Sequence, residues 1–281
     1  MAFVIRAFAQ LLLLSLFLSL SSRGDATVPA SAREQAWAVL RDGLREEKSS
    51  KRAEAVKALS LMSREQRASA YALRALNDKD ADVRTAAASS LGQLRSRRAI
   101  PALREALSDK EISVVLAAAY ALYTLQDKYA YSIYYAVLMG DKKAGEGMIQ
   151  AQLDKLKDPK QLATIGIQQG LGFVPFGGIG YEAFRAASKK DAAPARAAAA
   201  RFLARDPDPV SRDALVQIAL ADKSETVRQA ALDALAERGD PRCIEMLQRN
   251  LEDDHDAIRY RTAATIIHLA SVRHTVKKAR R

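Results

Sequence analysis

The chain has 281 residues, 49% of them hydrophobic and 27% charged, and 44 Lys and Arg against 33 Asp and Glu leave a formal net charge of +11. Its single cysteine, Cys243, excludes an intrachain disulfide, so stability has to come from packing. The length suffices for one large domain or a repeat array with a continuous core, and the basic surplus favours anionic partners through long-range attraction.

The first predicted element is a leader. One early cation, Arg6, precedes an apolar run from Leu11 to Leu20, and small residues then lead to Gly24-Asp25-Ala26. This is the layout of a secretory signal peptide, residues 1–26, with small side chains where a peptidase needs them and cleavage expected after Ala26. The apolar run is about half of the roughly 20 residues a bilayer-spanning helix needs, which disfavours an uncleaved anchor. Export to a periplasmic or extracellular location is therefore expected, and loss of Arg6, Arg23 and Asp25 leaves a mature chain of charge +10. For an exported protein of that charge the fitting anions are membrane surfaces, wall polymers or acidic proteins rather than nucleic acid.

Residues 33–139 are expected to form a helical repeat array. "LNDKDADVRTAAASSLGQL" from Leu76 and "LSDKEISVVLAAAYALYTL" from Leu107 superimpose at an offset of 31. Within each unit Val83, Ala86, Ala87 and Leu91 recur at steps of three and four, which makes one apolar helical stripe. Ile100, Leu103 and Leu107 mark a second helix, and polar turns such as "NDKDAD" supply caps and negative charge for the helix that follows. Six tyrosines, Tyr120, Tyr123, Tyr129, Tyr131, Tyr134 and Tyr135, crowd the end of this array. They suit either core filling or a recognition surface, since tyrosine gives large contact area at low entropy cost.

The period fails over residues 140–190. Nine of the 13 glycines fall between Gly140 and Gly180. Two short helices are still expected, from Gly147 to Lys157 and from Asp158 to Gln169, the second opened by Asp158-Pro159 in cap and first-turn positions. In "GIQQGLGFVPFGGIGYEAF", residues 166–184, the glycines and Pro175 remove helix propensity while Phe173, Phe176 and their neighbours keep the segment apolar. A dinucleotide fingerprint is incomplete here, because Pro175 stands where its third glycine belongs. A membrane-contacting loop and a buried apolar plug in the seam between two arrays are the other readings, and the plug is the expectation carried forward.

Helical repetition resumes over residues 191–271, where "LADKSETVRQAALDAL" from Leu220 and "LEDDHDAIRYRTAATII" from Leu251 again lie 31 apart. Cys243 aligns with Ala99, a small interior position. Residues 272–281 close the chain as a basic tail. Fixed self-similarity of this length marks a solenoid, in which each unit buries its apolar face against its neighbours. The fold class expected is therefore all-α, an α-solenoid of stacked antiparallel helix pairs interrupted by a glycine-rich insert.

Asp78, Val83, Arg84, Ala87, Leu91 and Gly92 in one unit, and Asp222, Val227, Arg228, Ala231 and Leu235 in another, make the sequence resemble the HEAT repeat superfamily, in particular its short phycobilisome-lyase-type repeats. The resemblance implies that Arg84, Arg228 and Arg259 form a structural ladder toward aspartates of neighbouring turns, with Val115 breaking the series. Among the roles it implies are scaffold, adaptor, chromophore lyase and metal-dependent hydroxylase. The consecutive His-Glu pairs of the hydroxylase are missing, His255, His268 and His274 lack metal-ligand spacing, and no nucleophile elbow occurs. No catalytic, metal or cofactor site is expected. The function expected is a non-enzymatic exported scaffold holding a protein or peptide partner, with Tyr120, Tyr123, Tyr131, Tyr134, Tyr135, Phe173 and Phe176 as candidate contacts. A membrane-peripheral adaptor that meets an anionic membrane surface through the insert and tail, and a lyase-like enzyme, are the alternatives.

Overall fold

The computed structural model describes residues 31–63, 65–130 and 193–279. Among these residues every regular element is helical. The first array comprises α1 (Ala32–Gly43), α2 (Ser49–Leu59), α3 (Gln66–Ala75), α4 (Ala81–Gln93), α5 (Ile100–Glu105) and α6 (Ile112–Thr124). The second comprises α7 (Ala193–Leu203), α8 (Pro209–Ala221), α9 (Glu225–Arg238), α10 (Ile244–Leu247) and α11 (Asp256–Ala279). The fold is an α-solenoid of stacked helix pairs, and α11 continues through the cationic end of the chain as far as Ala279.

Local chemistry sets the helix limits. The Asp80 carboxylate caps α4 by accepting the Asp82 N–H, and Asp208 caps α8 in the same way ahead of Pro209. Glu111 and Ser224 make no side-chain cap for α6 and α9, so capping is less regular than the polar turns suggest. The helix expected around Ile100, Leu103 and Leu107 is divided into 3-10 turns at Arg97–Ala99 and Ala106–Ser108 that flank the six residues of α5. Leu103 and Leu107 are still buried, as are their counterparts Leu247 and Leu251. Ala99 and Cys243 are fully buried, and burial pushes the Cys243 thiol up to about 11, which keeps it protonated and unreactive at neutral pH.

The inner helices stack in an order that differs from chain order. α7 packs on α9, α9 on α11, α11 on α2, α2 on α4 and α4 on α6. Three outer helices each lie between two inner ones: α3 touches α2 and α4, α8 touches α7 and α9, and α1 touches α2 and α11. α11 thus takes the place that the inner helix of a preceding repeat would occupy before α1. Small residues make the close approaches possible. A Cβ on Gly43 would meet the Tyr260 ring at 2.4 Å, and one on Gly92 would meet the Ala121 backbone at 2.9 Å. The seam between the arrays was expected at the glycine-rich segment, whose residues, Phe173 and Phe176 included, lie outside those described. Among the described residues the arrays meet through α11 against α1 and α2, with Tyr260 and Ile258 almost fully buried.

Candidate partner-binding site

At the C-terminal ends of α4 and α6 the chain turns through matching caps. The Ser96 N–H donates to the Leu91 carbonyl and the Arg95 N–H to that of Gly92, while Asp127 and Gln126 repeat the pattern on Leu122 and Tyr123. This motif puts its cap residue in the left-handed region, and Arg95 (φ 51°) and Gln126 (φ 60°) occupy it without being glycine. Gly239 (φ 66°) holds the corresponding position after α9. A side chain there costs about 1 kcal/mol relative to glycine.

Both strained residues line one cleft of about 270 Å³, together with Arg97, Thr124 and Leu125. Leu125 is buried and forms its apolar part, while Arg95, Arg97 and Gln126 are exposed. Tyr120 and Tyr123, one turn apart on α6, stack with ring centroids 6.4 Å apart, and Tyr123 is 51% exposed. On the turn after Gln126, Tyr129 is 48% exposed and carries the Arg104 guanidinium 4.2 Å from its ring centroid. Arg104 also forks onto Asp127 at 2.7 and 3.3 Å, and Asp127 accepts the Tyr129 N–H at 3.1 Å. The hydrogen bond from Arg104, then the backbone one, hold the Asp127 carboxyl below its ordinary value. Tyr129 is thereby fixed at the surface rather than folded onto the core.

A second arrangement of arginines runs inside the stack. Arg84 on α4 forks onto Asp109, Nε at 2.7 Å and a terminal nitrogen at 2.9 Å, and its other terminal nitrogen donates to the Asp78 and Lys79 carbonyls. Arg52 on α2 forks onto Asp78 at 2.9 and 2.8 Å and donates to the Glu46 and Glu47 carbonyls. Arg228 pairs with Asp253 and donates to the Ala219 carbonyl, and Arg196 reaches Asp222 at 3.2 Å. Each of these aspartates also accepts the backbone N–H two residues on. One carboxylate thus closes its own turn and receives the fork of the previous inner helix.

A family model described as HEAT repeats matches residues 36–123 and 182–267, more than half of the chain. The chain belongs to the HEAT repeat family. Solved structures align over most of its length but superpose loosely. One is a chain of the complex of CpcE and CpcF of phycocyanin lyase from Nostoc sp. PCC7120, 19% identical, covering 91% of this chain and 98% of that one, with a TM-score of 0.34. Human deoxyhypusine hydroxylase in complex with glycerol is 16% identical, with coverage of 85% and 97% and a TM-score of 0.34. An engineered protein is 14% identical, with coverage of 86% and 98% and a TM-score of 0.27. Superpositions this loose carry no argument about activity. No curated protein matches the sequence.

In this HEAT array Tyr120 and Tyr123 lie together on α6, while Tyr131, Tyr134, Tyr135, Phe173 and Phe176 lie outside the described residues. Arg84 and Arg228 bridge adjacent repeats; Arg259 donates to Asp256 and to the Asp253 carbonyl of its own turn. At that seam Lys51 stands between Glu46 at 3.3 Å and Asp256 at 3.7 Å and takes up the bridging. Arg52, a ladder member the sequence reading passed over, was signalled by its six-residue spacing from Glu46, the same as Asp78 to Arg84. Arg95, Arg97 and Gln126 were hidden because a cap glycine is recognised by its presence, and here it is replaced. Among the described residues no helix is long and apolar enough to cross a membrane, and no three His, Cys, Asp or Glu side chains are grouped to hold a metal.

The ladder makes stability acid-sensitive. Burial pushes the carboxyls of Asp78, Asp109 and Asp253 up, but the arginine hydrogen bonds, the backbone N–H groups and the neighbouring positive charges outweigh it, and all three are lowered. A carboxyl lower in the folded than in the unfolded chain contributes fully above the unfolded value of about 3.9 and is lost as pH falls through the folded one. The urea midpoint is expected to hold between about pH 7 and 5.5 and to fall steeply below about pH 4.5. A midpoint unchanged from pH 5 to 3 would contradict the linkage.

Proposed function

We propose that this protein is a non-enzymatic, exported HEAT-repeat adaptor that holds a protein partner at the C-terminal ends of α4 and α6. The observation that carries this reading is the pinned surface of Tyr123 and Tyr129, both about half exposed on the helix end and turn whose Thr124, Leu125 and Gln126 line a polar cleft. Half-exposed aromatics held by their own turns contact a partner without first losing rotamer freedom, and such residues dominate interface energetics. The leader-like layout of residues 1–26 supports export. Cys243 is buried and burial raises its pKa, so it serves packing rather than chemistry.

The test is a photo-crosslinking residue placed at Tyr123 and, as a control on a different surface, at Gln217, in the organism's envelope fraction. A single partner is expected from position 123 and none from 217. The purified partner should bind at least tenfold more weakly to Tyr123→Ala/Tyr129→Ala, the loss of about 1.4 kcal/mol or more that truncating an interface anchor gives. No crosslink at 123, or an affinity indifferent to both truncations, refutes the adaptor. Export is checked by the mass of the envelope form, expected to begin at Thr27.

A further inference from the structure

The cleft beside Tyr123 has a chemistry more specific than a general contact surface. Arg95, Arg97 and Arg98 are all exposed, and none has a carboxylate partner among the described residues. This contrasts with the arginines of the stack, Arg52, Arg84, Arg196 and Arg228, each of which is matched to an aspartate. Asp127 is the acidic group of the adjoining turn, and both its oxygens are taken, one by Arg104 alone and one shared with the Tyr129 N–H. The local field at the cleft is therefore positive. Two of its lining residues, Arg95 and Gln126, hold strained left-handed backbone conformations that glycine would adopt freely.

We propose that the cleft binds an acidic peptide segment of a partner protein, with side-chain carboxylates received by Arg95 and Arg97. The inference rests on the adaptor reading and adds the chemistry of what is held. A guanidinium offers paired N–H donors that match the two oxygens of a carboxylate, and the side-chain amide of Gln126, also lining the cleft, adds a donor. The buried Leu125 gives the cleft apolar lining for the methylene stem of a glutamate, and the half-exposed Tyr123 precedes the lining residues Thr124, Leu125 and Gln126 in the chain. A concave site with a buried leucine admits a side chain; a membrane would need a convex apolar tip at this place. The mature chain's charge of +10 would draw such a segment in from a distance.

The probe is a fluorescein-labelled octaglutamate peptide, titrated with the purified protein and followed by anisotropy at 20 and 200 mM NaCl. Binding is expected at low salt and should weaken at least tenfold at high salt, because the contacts are exposed ion pairs. Arg95→Asn/Arg97→Gln, in which asparagine tolerates the left-handed backbone, should lose at least tenfold, while the equally discharged Lys223→Gln/Arg249→Gln should bind like the parent. Arg97→Gln alone, which leaves the strained position untouched, should lose at least threefold and guards against a misfolded double variant; equal circular dichroism establishes the comparison. No binding at low salt, or equal binding by both double variants, overturns the proposal. So does retention on phosphatidylglycerol vesicles that Arg95→Asn/Arg97→Gln abolishes while octaglutamate binding is unchanged, since the cleft would then serve lipid. A partner crosslinked at Tyr123 whose affinity ignores both salt and Arg95→Asn/Arg97→Gln overturns the acidic segment and leaves the adaptor standing. Octaglutamate binding without any crosslinked partner sinks the adaptor.

Discussion

Tyr260→Ala is expected to destabilise the protein by about 3–5 kcal/mol, the range for removing a large buried aromatic side chain. Tyr260 is 2% exposed, and its ring fills the space left by the missing side chain of Gly43 at the junction of α11 with α1 and α2. Deleting it opens a cavity where the two arrays meet, so the loss should appear as a lower thermal midpoint and a broader transition as the arrays begin to melt apart. A double-mutant cycle gives the decisive measurement. Gly43→Ala alone drives a methyl into the Tyr260 ring and should destabilise, whereas in the Tyr260→Ala background the same methyl enters vacated space and should be neutral or favourable. Additive effects of the two changes, or a loss under 1 kcal/mol for Tyr260→Ala, would show that the junction is not packed as described.

Asp109→Ala should cost about 3 kcal/mol, measured by urea unfolding at pH 7. Arg84 and Asp109 have side chains only 9% and 14% exposed, so removing the carboxylate leaves a guanidinium charge with little water around it. The carbonyls of Asp78 and Lys79 still accept from Arg84, which keeps the loss at the lower end for a broken buried pair. The combined replacement Arg84→Leu/Asp109→Leu is expected to be less destabilising than Asp109→Ala alone, because no charge is stranded. If the double replacement is instead the worse of the two, the pair is a source of stability beyond mutual charge compensation.

The repeats were legible in the sequence because helical burial leaves a periodic trace: Val83, Ala86, Ala87 and Leu91 face inward, and Val227, Ala230, Ala231 and Leu235 repeat them. Periodicity names the buried face of a helix without naming its neighbour. Ile258 aligns with the core residue Val227, but Tyr260 aligns with the polar, part-buried Gln229, and nothing in their spacing tells that α11 packs against α1 and α2, about 200 residues earlier in the chain. The candidate site was half visible. Tyr120 and Tyr123 stand out by composition, but the cleft depends on Arg95 and Gln126 adopting a backbone conformation that their identities disfavour. Arg104 and Tyr129 meet only through the fold, because the residues between them include the whole of α6.

The placement of α11 ahead of α1 carries a consequence for biosynthesis. A polypeptide emerging from the ribosome has α1 and α2 available long before Asp256 is translated, and until then the surface that will receive Tyr260 has no cover. The earliest repeats are the last to be completed. Nascent molecules therefore stay open at their leading edge until Asp256 and the residues after it have emerged, a condition that leaves that surface to chaperones in the meantime.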